Sequence, residues 1–136
     1  MRKPTWYAAA TVGGLMVLII GSLCFGFTIL IDISPQTLNI RSEGTVVTVH
    51  TDIAYSAVYV YSVFLNGVGI QSWKADNRGN FVAKFSMEEV KRLDGLVIGD
   101  YNELQLIGAT LDGDSFSGTT EIMVIDVEPE GKGGDK

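Results

Sequence analysis

Between Trp6 and Ile31 the chain carries no charged residue. A helix crosses the hydrocarbon core of a bilayer with about 20 apolar residues, and this run of Ala, Gly, Val, Leu, Ile and Phe is long enough to do so. Arg2 and Lys3 precede it, and the next basic residue is Arg41. That asymmetry predicts a cytoplasmic N-terminus and an extracytoplasmic remainder. Trp6 and Tyr7 stand at its start, where amphipathic rings suit the headgroup layer. The expectation is a single-pass signal anchor, one transmembrane helix over residues 1–27. A cleaved signal peptide is the competing reading, because Cys24 and Gly26 supply small residues for a cut after Gly26, which would leave the domain secreted. Against it, the run exceeds the ~7–15 residues of a signal-peptide core.

Small residues recur in this run at a spacing of four, Ala10 with Gly14 and Ser22 with Gly26. That spacing lets two membrane helices approach closely, which makes these four the candidate helix-packing positions. Cys24 is the only cysteine and reads as a small buried hydrophobe, so the rest of the chain has no disulfide. All sixteen Asp and Glu residues lie from Asp32 onward, and the chain's formal net charge is −6. An acidic domain lacks the basic patch that a phosphate backbone requires, so no nucleic-acid partner is expected.

After Thr28 the pattern becomes that of short strands. Thr28 to Ile33 is rich in β-branched residues and ends at Ser34-Pro35, and Thr37 to Arg41 follows with Leu38 and Ile40 on one face. Thr45 to Ile53 alternates, with Val47, Val49 and Ile53 inward and Thr48, His50 and Asp52 outward; period-two alternation marks a half-buried strand. Ala57 to Leu65 leads into Asn66-Gly67, a hairpin-turn pair that tolerates positive φ, and Val68 to Trp73 returns. Asp76 to Asn80 is a turn, followed by the strand Phe81 to Phe85. Ser86-Met87-Glu88-Glu89 is a capping box for one short helix with Val90 and Leu93 inward, stopped at Gly95. Tyr101 to Leu111 alternates through Leu104, Leu106 and Ala109, Asp112-Gly113 turns, and Phe116 to Val127 closes with Ile122, Val124 and Val127 inward. Seven to eight strands with turn signals every 8 to 12 residues, plus one short helix, predict an all-β sandwich over residues 28–127. Residues 128–136, with three glycines and no large apolar side chain, read as a disordered tail.

Several motifs in order resemble a known family. Asp32-Ile33-Ser34-Pro35-Gln36-Thr37-Leu38-Asn39-Ile40-Arg41-Ser42-Glu43-Gly44 is similar to the opening of a small Ig-like domain of archaeal and bacterial secreted and surface proteins, often found beside dockerin-type calcium repeats. The likeness continues through Val63-Phe64-Leu65-Asn66-Gly67, Val82-Ala83-Lys84-Phe85, Gly99 to Leu104, Asp112-Gly113 and Phe116 to Ile122, covering roughly residues 29–127. The resemblance implies an extracytoplasmic Ig-like sandwich that serves as a structural or adhesive module. Members often carry a calcium-type acidic loop before the strand that matches Phe81 to Phe85. Here only Asp76, Asn77 and Asn80 offer side-chain oxygens in that loop, and Arg78 sits where another acid would help. Calcium wants six to eight oxygens, and a plain polar turn is the competing reading.

The inventory for catalysis is short. His50, the only histidine, sits mid-strand and reads as a surface residue, whereas a Ser-His-Asp relay needs a histidine base. No Cys/His cluster suits zinc, and no glycine loop opens a helix to cradle phosphate. Asp100, Asp112 and Asp114 are the carboxylates that could meet at one end of the sandwich, although turn acids ordinarily serve the turn. Neither an enzyme, a cofactor nor a small-molecule substrate is expected. Tyr59 and Tyr61 lie two apart on one strand face, with Trp73 downstream; exposed, they make an aromatic contact patch, and turned inward they are core, which is the reading their strand favours. The functional expectation is a membrane-anchored interaction module whose partners are the membrane and other membrane or surface proteins. The alternatives are an accessory single-span subunit of a larger membrane complex and a pilin-like filament subunit.

Overall fold

A computed structural model describes residues 26–128 of the 136. Ten strands form two facing sheets. In chain order they are β1 (Gly26–Thr28), β2 (Ile31–Ser34), β3 (Thr37–Asn39), β4 (Val46–Ala54), β5 (Val58–Leu65), β6 (Val68–Gly69), β7 (Ser72–Ala75), β8 (Asn80–Ser86), β9 (Asp100–Thr110) and β10 (Ser115–Ile125). A 3-10 turn at Tyr55–Ala57 joins β4 to β5, and the short helix α1 (Met87–Lys91) follows β8. The first sheet runs β1-β10-β9-β5-β6, with β3 also on β10, and the second runs β2-β4-β8-β7.

The expected seven to eight strands become ten because two stretches that read as single strands change sheets partway. The first is Thr28 to Ile33. β1 pairs in parallel with the start of β10, β2 crosses to pair antiparallel with β4, and β3 returns to pair in parallel with the end of β10. The return passes through Ser34-Pro35, whose peptide bond is cis. The crossing presses the chain against Gly118. A Cβ there would lie 2.7 Å from the Ile29 carbonyl oxygen, closer than side chains pack, so only glycine lets the two backbones pass. The second stretch is Val68 to Trp73. After the Asn66-Gly67 turn, both of whose residues have positive φ, β6 pairs with β5 and β7 pairs with β8 in the other sheet.

The core lies between the sheets. Val47, Val49, Phe81, Ala83 and Phe85 from one side meet Val63, Leu65, Leu104, Leu106, Ile122 and Val124 from the other, all buried. Burying each large apolar side chain favours the fold by about 1.5–3 kcal/mol. The helix α1 closes one end, with Met87 and Val90 buried and Ser86 Oγ accepting the Glu89 N–H at 3.4 Å.

Two inward assignments need correction. Ala109 points away from the core, because the inward register of β9 runs Asn102, Leu104, Leu106, Gly108. Val127 is exposed, lying beyond the end of β10. Thr51 shares the inward register of Val47, Val49 and Ile53 and is buried with them. Its hydroxyl donates to the Phe81 carbonyl at 2.6 Å, which satisfies a polar group that the core face buries.

Candidate functional site

Tyr59 and Tyr61 do not enter the core. They are 50% and 68% exposed, which corrects the inward reading, and the cause is local. Between Tyr59 and Phe64, β5 advances five residues while its partner β9 advances only two, from Ala109 to Ile107. A bulge of this kind bends its strand and re-aims side chains. Ser62 fills the break in the ladder: its Oγ donates to the Tyr59 carbonyl at 2.6 Å and accepts the Ala109 N–H at 2.8 Å. Tyr61 is thereby carried over the open side of the sandwich.

Trp73 arrives at the same place from the other sheet. It sits on β7 opposite Ala83, half-buried against the core edge. The Tyr61 and Trp73 ring centroids are 5.6 Å apart at 81°, and Tyr59 and Tyr61 are 6.2 Å apart at 77°. Both are edge-to-face contacts, the geometry aromatic quadrupoles prefer. The three residues singled out in the sequence therefore form one connected cluster that bridges the two sheets on the side where β6 passes into β7. Two of its rings are accessible and the third is anchored.

The Asp76–Asn80 loop is a turn organised by one carboxylate. Asp76 Oδ1 accepts the N–H groups of Arg78 at 2.8 Å and Asn80 at 2.9 Å. The Asp76 N–H donates to the Asn80 carbonyl, and the Gly79 N–H to the Asp76 carbonyl. The Asn80 N–H is the leading reason that the Asp76 carboxyl is held below its ordinary value, and the Arg78 N–H and the Arg78 and His50 charges add to it against partial desolvation. Among the described residues, no group of three or more His, Cys, Asp or Glu is placed to hold a metal ion.

The other sequence candidates separate. Asp100 opens β9 opposite Val124, whereas Asp112 and Asp114 belong to the turn that follows β9. An eleven-residue strand at about 3.3 Å per residue puts the first some 30 Å from the other two, so these carboxylates do not meet. Ala10, Gly14, Ser22 and Cys24 lie outside the described residues, as does the expected transmembrane helix up to residue 25. Gly26 and Phe27 belong instead to β1, where Gly26 pairs with Ser115, so Gly26 is a strand residue and not part of a helix seam. The tail begins in an ordered way: Glu128 pairs with Arg41 at 2.6 Å, beside the Arg41–Asp126 pair. Among the described residues, no helix is long and apolar enough to cross a membrane.

The sequence reading missed Asn102. It is buried on the inward face of β9, where its Oδ1 accepts the Val97 N–H at 2.7 Å and its Nδ2 donates to the Val97 and Asp100 carbonyls at 3.0 Å. One amide thereby holds the loop between α1 and β9. The signal was a polar residue in register with Leu104 and Leu106. On the outer face of the first sheet, Gly26, Thr28, Ser62, Ile107, Ser115 and Ser117 line an open groove of about 510 Å³.

The described chain is thus a two-layer, all-β sandwich with one short helix. Comparison with protein-family models, with curated proteins and with solved structures found no match in any of the three.

Proposed function

We propose that this chain is a membrane-anchored, extracytoplasmic interaction module of the Ig-like type, non-catalytic, which contacts a protein partner through Tyr59, Tyr61 and Trp73. The observation that carries the reading is the aromatic cluster. Exposed aromatic residues held rigidly on strands supply large contact area at low entropic cost, and such residues dominate binding energy at protein interfaces. The uncharged run from Trp6, joined directly to β1 and preceded by Arg2 and Lys3, supports the anchored, outward-facing placement. The order of motifs from Asp32 to Ile122 supports the Ig-like type. An accessory subunit of a larger membrane complex is the second reading, favoured by the small-residue spacing of Ala10 and Gly14.

Native mass spectrometry of the full-length chain, extracted gently from its own membranes, tests this. The wild type is expected to carry a bound protein that Tyr61→Ser loses, with the sandwich still folded by circular dichroism. A complex that survives Tyr61→Ser but is lost in Gly14→Leu favours the accessory-subunit reading. A chain found only in the soluble fraction, beginning near Phe27, overturns the anchored reading.

A further inference from the structure

We infer that the end of the sandwich where β1 begins rests in the interfacial layer of a lipid bilayer, with Leu111 as the side chain nearest the lipid. The inference rests on the anchored reading proposed above.

On the anchored reading, a span of about 20 residues starting at Trp6 would end at residue 25 and leave no spacer, because Gly26 is already paired in β1. One residue reaches at most about 3.5 Å, so the tip of the sandwich is held against the surface from which the chain emerges. The tip is also apolar where it need not be. Leu30 and Leu111 are the most exposed large aliphatic residues among those described, at 74% and 67%, and both belong to this end. Gly26 pairs with Ser115, which places the start of β1 beside the β9–β10 turn that carries Leu111. Leu111 donates its N–H to the Ala57 carbonyl at 2.9 Å, so the 3-10 turn braces it. Leu30 stands at the crossing from β1 to β2, its N–H on Asp52 Oδ1 at 3.0 Å and its carbonyl accepting the Asp52 N–H at 3.3 Å. Both leucines are therefore fixed in outward positions by their backbones. Phe27 and Tyr55, also exposed, lie on the same end.

The depth is graded. Leu111 is at the tip, while Ile29 and Ile31, on either side of Leu30, pass against Gly118, three residues or about 10 Å beyond Ser115 along β10. Asp112 and Asp114 flank Leu111 and keep the contact shallow. Negative headgroups would repel them, so the fitting surface is zwitterionic. The exposed Val97 and Ile98 precede β9 at the opposite end of the sandwich, out of reach of the same bilayer.

The test uses full-length protein in phosphatidylcholine nanodiscs, in a Cys24→Ser background, with a nitroxide at Leu111→Cys, Leu30→Cys or Ile98→Cys. Collision with oxygen and with a water-soluble nickel chelate reports depth. The Leu111 label is expected to be several-fold more shielded from the chelate than the Ile98 label while remaining open to oxygen, with the Leu30 label between them. A Leu111 label as open to the chelate as the Ile98 label overturns the inference, while retention in the disc leaves the anchored reading standing. A Leu111 label shielded from both agents overturns it in favour of a protein partner or a second copy at the tip. Protein that does not stay with the discs overturns both readings.

Discussion

Phe116 lies across Gly108, its partner on the neighbouring strand: a Cβ built on Gly108 would stand 2.5 Å from Cζ of the Phe116 ring and within about 3 Å of two more of its carbons. The ring occupies the space that a side chain at 108 would need. The glycine is there for close approach, a common reason for glycine inside a strand.

Gly108→Ala is therefore expected to destabilise the sandwich by about 1–3 kcal/mol, the usual cost of overpacking a filled core. Urea titration of the two proteins measures it. Adding Phe116→Leu to the variant should recover part of the loss, because a smaller side chain opens the space. An unchanged urea midpoint in Gly108→Ala would show that the ring moves aside freely.

Asn102→Ala should cost about 1–3 kcal/mol, because it leaves the Val97 N–H and two carbonyls without the amide that satisfies them. The effect should be local first. Hydrogen exchange at Val97 is expected to accelerate more than exchange at Leu104 or Leu106. Equal acceleration at all three would mean that Asn102 supports the whole sheet and not the loop.

Asp76 gives a pH signature with a definite sign. Its folded value is depressed below the ordinary 3.8. The stability it contributes is therefore fully present above about that pH and is lost as pH falls through the depressed value. Asp76→Ala should be less stable than wild type at neutral pH, and the two should converge as acid protonates the carboxyl. Thermal melts from pH 7 down to about pH 2 follow the difference. A gap that stays constant over that range would mean that the ionised carboxylate is not what holds the turn.

The strands were legible because alternation is a local property. Val47, Val49 and Ile53 face inward as their spacing implies, and so do Leu104 and Leu106. The turns at Asn66-Gly67 and Asp112-Gly113 and the cap at Ser86 were legible for the same reason, since each depends on the conformational preferences of two to four adjacent residues. Sheet membership is not local. Nothing within Thr28 to Ile33 says that the chain changes partners at Ile29 and Leu30; the reason sits at Gly118, almost ninety residues away, which clears the path. The aromatic cluster was half legible. Tyr59, Tyr61 and Trp73 could be named, but their exposure depends on the bulge in β5, whose extra residues appear only in the pairing with β9. Asn102 was half legible: it stands in the inward register of Leu104 and Leu106, but its partner Val97 lies in an irregular loop that no period marks.

The parallel pairing of β1 and β3 with β10 has a mechanical consequence. β1 starts beside Ser115 and β10 ends beside Asn39, so the described chain enters at one end of the sandwich and leaves at the other. Tension applied between those two points does not peel the ladder open one bond at a time. It slides the first strands along the last one and loads their hydrogen bonds together, while the crossing through β2 ties that load to the second sheet. A fold connected in this way is loaded in shear when it is stretched between Gly26 and Ile125.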